Sequence, residues 1–588
     1  MNESSNFGSP SEKPPLADPP MQGTGQPARS EKFWGFYLAG LLILLMLLVQ
    51  WVSVRTDHQM ANLLSASLLL AATIAFLVAW MRRFRTARWL RFAPLLLLAG
   101  ALLGAAATLE VTGVSGELIP QFAFRFRSQP APPPAEDVRI AKLTIGPADF
   151  PGFLGAERDA TVAERQFTLD WEQHPPRLRW KQSIGEGWSG FAIAGSAEAA
   201  EEGRGPYGFT LEQRDAREWV SCYDLSDGRL VWHHADRGQH YHALGGLGPR
   251  STPTLSPDGR VYVQGATGIV RCLDSRDGTL LWRVDLTRLA GINQTISEVG
   301  VTWGRAASPL LVDDLVVLPL GGSEDHPEGV RSLIALDAES GETRWIGGEH
   351  QISYASPVLA TLAGLRQILT VDEDAAAGHS PDDGRVLWTH PWPGSSNTNA
   401  SCSNPTPVGD DAVLLSKGYG GGAMLLRLKK SPAASPTTSL AESELVAEPV
   451  WTNSRVLKTK FTNVCVAGDY AYALSDGSLE CVHLLDGRSQ WKQPRRGRYG
   501  HGHVLIVEDV LLVLSEEGEL ATVALDPSSY RELGRFQAIE GKTWNPPAVV
   551  GNLLVVRNAL EAAVWEVAQI SAPKDVIATG SRAAYGSP

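Results

Sequence analysis

Asp224-x-x-Asp227-Gly228-x-x-x-Trp232, within CYDLSDGRLVW, recurs as Asp274-x-x-Asp277-Gly278-x-x-x-Trp282 in CLDSRDGTLLW. It recurs again as Asp337-x-x-Ser340-Gly341-x-x-x-Trp345 in ALDAESGETRW, and weaker copies end at Trp388 and Trp491. Five copies, roughly 40 to 60 residues apart, imply a stacked array, because a unit this small cannot bury its apolar face alone. The segments around each copy are short and alternating, with turn signals between them. That pattern is antiparallel all-β, and a closed ring of such units is a β-propeller.

Each unit opens on a pair such as Ser-Pro or Asn-Pro and ends on the strand bearing Trp. Openings fall at Gly187-Trp188-Ser189-Gly190, Ser251-Thr252-Pro253, Ala307-Ser308-Pro309, Ala355-Ser356-Pro357, Asn404-Pro405, Phe461-Thr462-Asn463, Gly500-His501-Gly502-His503 and Asn545-Pro546-Pro547, which makes eight blades. The last unit has material for three strands only. Residues 177–184, RLRWKQSI, form an orphan Trp strand with no unit before it. Trp180 is therefore expected in the eighth blade, where joining the two ends removes an open edge. The Asp-Gly pair supplies the positive φ of a tight turn. The Trp is expected flat between blades, its N–H on a backbone carbonyl.

Ahead of the repeats, residues 1–32 are polar and rich in Pro, Gly and Ser, and read as a disordered tail. Three apolar stretches follow within 33–110: Phe33 to Val54, Met60 to Met81, and about Phe92 to Leu109. Each is uncharged and long enough to span a bilayer, which gives a three-helix membrane anchor. Arg82, Arg83, Arg85, Arg88 and Arg91 lie between spans two and three, against Arg55 alone between one and two. The positive-inside rule then puts the N-terminus in the cytoplasm and the propeller outside a bacterial inner membrane, in the periplasm. Residues 111–145 read as a linker whose proline-rich part, 128–137, holds the folded part off the bilayer. The propeller is expected over 146–571, with a long loop at 430–448 inside blade five and a C-terminal tail over 572–588.

The net charge of −12 argues against nucleic acid as the main partner. The five cysteines (Cys222, Cys272, Cys402, Cys465, Cys481) have no disulfide, zinc or haem-attachment spacing, and three recur at one strand position. They read as small buried apolar residues.

The repeat unit, with the segments FPGFLGAERDATV (150–162), SYASPVLATLAGLRQILT (353–370), SKGYGGGA (416–423), RYGHGH (498–503) and GKTWNPP (541–547), resembles the PQQ-repeat propeller superfamily. That superfamily includes the BamB scaffold of outer-membrane assembly and the pyrroloquinoline-quinone alcohol dehydrogenases. The resemblance spans roughly 150–570 and implies an eight-bladed fold. It also implies PQQ as the cofactor if the chain is an enzyme. The dehydrogenases carry adjacent cysteines under the cofactor, and this chain has no Cys-Cys pair. Their calcium ligands and Asp base match no position here.

The loops entering the innermost strands gather at one mouth of a propeller channel. Here they carry Trp188, Arg250, Trp303, Arg305, Tyr354, Asn404, Lys460, Tyr499, His501, His503, Trp544 and Asn545. Convergent aromatic and cationic groups at a concave mouth suit a planar or carboxylated ligand; the same groups can instead plug the channel by bonding one another. His501 and His503 alternate along a strand, so they share a side. No third ligand completes a metal site. His233-His234 read as solvent-exposed. The expected work is binding a protein or small ligand, as a scaffold anchored to the membrane. A quinone-dependent oxidoreductase is the alternative.

Overall fold

The computed structural model describes residues 33–53, 58–84, 88–126, 132–162, 167–242, 244–292, 301–323, 329–393, 400–431, 444–494 and 496–569. The expected tails, and the centre of the expected blade-five loop, lie outside them. The chain divides into two units, Met1–Glu110 and Val111–Pro588.

The first unit holds helices α1 (Trp34–Ser53), α2 (His58–Arg83) and α3 (Arg88–Thr108). All three are long and apolar enough to cross a membrane. α3 starts four residues ahead of the expected stretch and runs through Pro94. Between α1 and α2 the Gln50 amide donates to Asn62 Oδ1 at 3.0 Å and Ser65 Oγ at 2.9 Å. Such polar contacts fix the register of helices whose apolar surfaces alone cannot.

The second unit is an eight-bladed propeller of four-stranded antiparallel sheets. Blades 1 to 7 span 192–237, 254–285, 310–347, 358–391, 406–453, 465–492 and 503–537. Blade 8 combines 548–566 with Arg177–Ser183, whose Trp180 lies opposite Val564. The ring closes as the sequence predicts. In every blade the third and fourth strands slip register by one residue just after the pair containing the Trp position. Cys222, Cys272 and Cys481 face Trp232, Trp282 and Trp491 across these pairs. All five cysteines are free, and burial pushes Cys272, Cys402, Cys465 and Cys481 up to about 12.

Six of the seven tryptophans on the fourth strands join their blade to the next. The indole N–H of Trp180, Trp232, Trp282, Trp345, Trp451 and Trp491 donates to Leu225, Ser275, Ala338, Pro381, Leu484 and Asp526 carbonyls at 2.6–3.0 Å. Trp451 supplies blade 5, which has no copy of the motif. The ring also lies on the turn glycine of the next blade. A Cβ on Gly228, Gly278, Gly341 or Gly487 would fall 2.5–2.7 Å from carbons of Trp180, Trp232, Trp282 or Trp451, and these glycines have φ of +66° to +83°. The glycine therefore has two tasks, positive φ and room for the indole. Trp388 has no such turn to meet, because 431–444 joins the last two strands of blade 5. Its N–H bonds Gln367 Oε1 in its own blade at 2.6 Å.

Blade 7 has Gly534 at the Trp position, opposite Thr522. Trp171, from the segment before the closing strand, packs there instead, edge-on to Phe536 at 5.2 Å.

The expected linker differs from what its described parts do. Residues 109–114 and 120–124 form a hairpin. Residues 132–145 lie along blades 1 and 2, with backbone bonds from Val138 to Val231 and from Ile140 to Arg276, and with Ile140 and Leu143 buried. Apolar side chains within the segment favour packing over extension. His233 is half-buried rather than exposed, stacked on Trp219 at 4.0 Å.

Trp180→Ala should cost about 3–5 kcal/mol. Gly278→Ala, which puts a Cβ at positive φ beneath an indole, should cost about 2–4 kcal/mol. Denaturant unfolding of the solubilised protein checks both, and an unchanged midpoint for Gly278→Ala would refute the second task of the glycine.

Candidate functional site

The blade openings are tied to one another in a belt. The Gly190 N–H donates to Thr252 Oγ1, Thr252 to Ser308 Oγ, Ser308 to Ser356 Oγ, Ser356 to Asn404 Oδ1 and Asn404 to Asn463 Oδ1, at 2.8–3.0 Å. The Asn545 amide reaches back to the Ser189 carbonyl at 2.8 Å. Thr252, Ser308, Ser356, Asn404 and Asn545 each precede a proline, which holds them extended with the side chain free to accept. In blade 7 the corresponding position is His501. Its N–H is taken by Glu516 of its own blade at 3.1 Å.

Residues after the belt position, inside the first strands, meet a plug formed by 150–162. Phe150 bridges Ile193, and Thr161–Val162 add a parallel strand to blade 7. The buried Arg158 guanidinium donates to the carbonyls of Ser308, Pro309 and Pro357 and to Thr254 Oγ1, linking blades 2, 3 and 4. Burial lowers this guanidinium to about 9. Beside the plug lies a cavity of about 490 Å³ lined by Leu154, Arg158, Asn404 and Asn463.

Residues ahead of the belt position form the mouth, and the structure brings most of the expected ones together. Trp188 and Trp544 touch at 5.0 Å, and the Trp188 N–H and Arg250 Nη2 share the Gly245 carbonyl at 2.7 and 2.8 Å. Trp303 stacks on Tyr354 at 5.1 Å. Lys460 lies 6.0 Å over Tyr419. Phe461 bridges His501 at 5.4 Å and Trp544 at 4.7 Å. Others turn away. Arg305 donates to Pro319 and Leu320 carbonyls within its blade. Asn404 and Asn545 belong to the belt, and Tyr499 bonds Glu532 at 2.7 Å. His503 donates to the Trp544 carbonyl at 2.8 Å, and burial lowers it to about 4. Among the described residues no three His, Cys, Asp or Glu side chains group as metal ligands.

The tip of the 109–124 hairpin sits in this mouth. The Gly116 N–H donates to Glu516 Oε1 at 2.5 Å, and a Cβ there would overlap the His501 imidazole. The buried Glu117 carboxylate lies 3.3 Å from His501 Nε2 and 3.1 Å from Arg498 Nη1. Burial pushes it up, but the His501 hydrogen bond and the charges of Arg498, His501 and Lys460 prevail and hold it at about 2. Lys542 donates to the Val114 carbonyl at 3.1 Å from between Trp188 (5.1 Å) and Trp544 (4.3 Å). Burial lowers that ammonium to about 8, against the pull of Glu516.

Glu117, Lys542, Glu516, Phe461 and Tyr419 were not singled out from the sequence. The run Thr112-Gly113-Val114-Ser115-Gly116-Glu117 carries a hairpin-turn signal, but nothing in it states where the turn docks.

Residues 216–493 match the family model described as outer membrane protein assembly factor BamB. No curated protein matches the chain. Solved structures that resemble it include BamB from Moraxella catarrhalis, 16% identical over 66% of this chain and 99% of that one, with a TM-score of 0.44. A europium-containing methanol dehydrogenase is 11% identical over 72% and 98%, with a TM-score of 0.41. The quinohemoprotein alcohol dehydrogenase from Comamonas testosteroni is 12% identical over 75% and 83%, with a TM-score of 0.38. The repeats, and the family match over residues 216–493, support a PQQ-repeat β-propeller.

The mouth as arranged does not fit a planar quinone such as PQQ. Two flanking faces must stand about 7–8 Å apart to admit a ring between them. The pairs Trp188–Trp544 and Trp303–Tyr354 are already in contact at 5.0 and 5.1 Å. The Arg250 guanidinium is engaged by the Gly245, Gly246 and Gly248 carbonyls.

A carboxylate held below its ordinary value stabilises its docked form fully above pH 4.5, and that contribution fades as pH falls from about 4.5 towards 2. Hydrogen exchange of the 113–118 amides, corrected for intrinsic rate, should therefore quicken over this window in the wild type. In Glu117→Gln it should be fast and much less pH-dependent.

Proposed function

We propose that this chain is a membrane-anchored binding module whose working surface is the channel mouth. The observation that supports this reading is the convergence there of aromatic and cationic side chains from loops all around the ring, at a site beyond the belt that holds the ring together. Anchors of this kind, aromatic rings beside cations, dominate recognition surfaces. The arginine bias of the loop between spans two and three supports a cytoplasmic N-terminus and a propeller outside the cytoplasmic membrane. The family description, an outer membrane protein assembly factor, favours a protein partner over a small molecule.

The test is site-specific photo-crosslinking of the full chain in its native membrane. A photoreactive residue at Trp303 should give one defined adduct, and the same residue at the exposed Leu485, in the turn between the last two strands of blade 6, should not. Trp188→Ala with Trp544→Ala should abolish the adduct without changing the amount of protein. Titration with PQQ and calcium checks the oxidoreductase alternative. No saturable binding is expected up to roughly millimolar, about −4 kcal/mol; stoichiometric binding lost in Arg250→Ala would overturn the proposal.

A further inference from the structure

The mouth already holds a ligand, and it belongs to the chain itself. The Val114–Leu118 turn meets it at three separate points. Lys542 takes the Val114 carbonyl, Glu516 takes the Gly116 N–H, and His501 with Arg498 takes the Glu117 carboxylate. The fit is selective at the last two. At 116 only glycine is accommodated, because the His501 ring occupies the space of a Cβ. At 117 the surroundings are cationic, with Lys460 adding its charge to those of Arg498 and His501. Gly116 and Glu117 are buried, whereas Val111, Ile119, Phe122 and Phe124 of the same hairpin are exposed.

That contrast bears on how firmly the turn is held. A two-stranded hairpin with exposed apolar side chains is marginal on its own. Its order in the mouth depends on the few contacts of 113–118, so a second turn of like chemistry can replace it. The belt is also different at this place. Blade 1 puts Gly190 at the belt position and blades 2 to 6 and 8 put Ser, Thr or Asn there, but blade 7 puts His501 there and turns the imidazole to the tip.

Resting on the mouth as the binding surface, we propose that the Gly116–Glu117 seat is a recognition site for a Gly-Glu turn of a protein partner, closed in this structure by the chain's own turn. The partner presents an exposed glycine followed by a glutamate, and it binds by displacing 114–118. The tethered turn competes at an effective concentration on the order of millimolar, so it sets a threshold that weak acidic ligands do not pass.

The test uses the detergent-solubilised full chain and a fluorescein-labelled synthetic peptide of residues 111–121. Glu117→Lys places a cation against Arg498 and Lys460 and should release the tip, read as faster hydrogen exchange over 113–118. The peptide should then bind the variant on the order of tenfold or more tighter than the wild type. A peptide with Gln in place of its glutamate should bind neither, and adding Arg498→Ala to the variant should remove binding. Gly116→Val is the second tip variant, should Glu117→Lys fail to fold, since it evicts the tip sterically and leaves every charge in place. A released tip with no peptide binding overturns the proposal, as does equal binding to wild type and variant, or a tip that neither substitution releases. Conversion of the wild type to a dimer by exchange of tips between copies would also overturn it, in favour of a self-assembly contact. The crosslinking adduct is read independently. Its loss in the Trp188→Ala, Trp544→Ala chain with no peptide binding defeats this inference alone; peptide binding with no mouth-dependent adduct defeats the wider reading alone.

Discussion

The contact between an indole and the turn glycine of the next blade is what the rest of the propeller depends on. A blade alone exposes the face that its neighbour must cover. The tryptophan covers it, spends its one polar group on a carbonyl of the neighbour, and requires the neighbour's turn to lack a side chain. Because the glycine belongs to the following blade, each repeat specifies half of two junctions. Ring closure follows from the same rule. Trp180 meets Gly228 of blade 1, as Trp232 meets Gly278 of blade 2, so the seam between the two ends of the chain is chemically like any other junction. The exceptions are local. Blade 7 borrows Trp171, and Trp388 turns to Gln367 where blade 5 offers no turn.

The belt of opening residues does on the inside what the tryptophans do towards the outside. Proline keeps the preceding residue extended, and its hydroxyl or amide receives the N–H of the previous blade. Two chain segments then fill the axis from opposite directions. The 150–162 plug fixes blades 2 to 4 through Arg158, whose acceptors are mostly carbonyls, so an arginine is buried there by hydrogen bonds rather than by an ion pair. The 109–124 hairpin approaches the mouth at blades 6 to 8. One segment is woven into a blade by a parallel strand, and the other is held by side chains. The first is structural, and the second has the character of a latch.

The fold was legible because its determinants are local and repeated. Asp-Gly turns, Trp spacing and the orphan RLRWKQSI strand locate eight blades and the seam with no knowledge of distance. The mouth was legible as a set of loops, and six of the nominated side chains (Trp188, Arg250, Trp303, Tyr354, Lys460, Trp544) do line it with His501. The fate of the others turned on competition that no repeat records. Arg305 found carbonyls within reach in its own blade, and Asn545 was needed for the belt. The expected linker was misjudged for a related reason. Proline content signals an extended backbone, and an extended backbone can lie along a sheet edge as well as cross open solvent.

Residue order alone was enough for three long apolar helices, the blade count, the closing strand and the side of the ring where loops converge, since each is a matter of period, length and turn chemistry. Partnership across hundreds of residues was not. Glu117 and His501 lie 384 positions apart, and Gly116 and Glu516 lie 400 apart. Neither residue of either pair has a neighbour in sequence that announces the other. Their contact exists because ring closure carries blade 7 to the mouth's rim and the hairpin ends there, and only the assembled propeller brings a carboxylate, an imidazole and a guanidinium to one point.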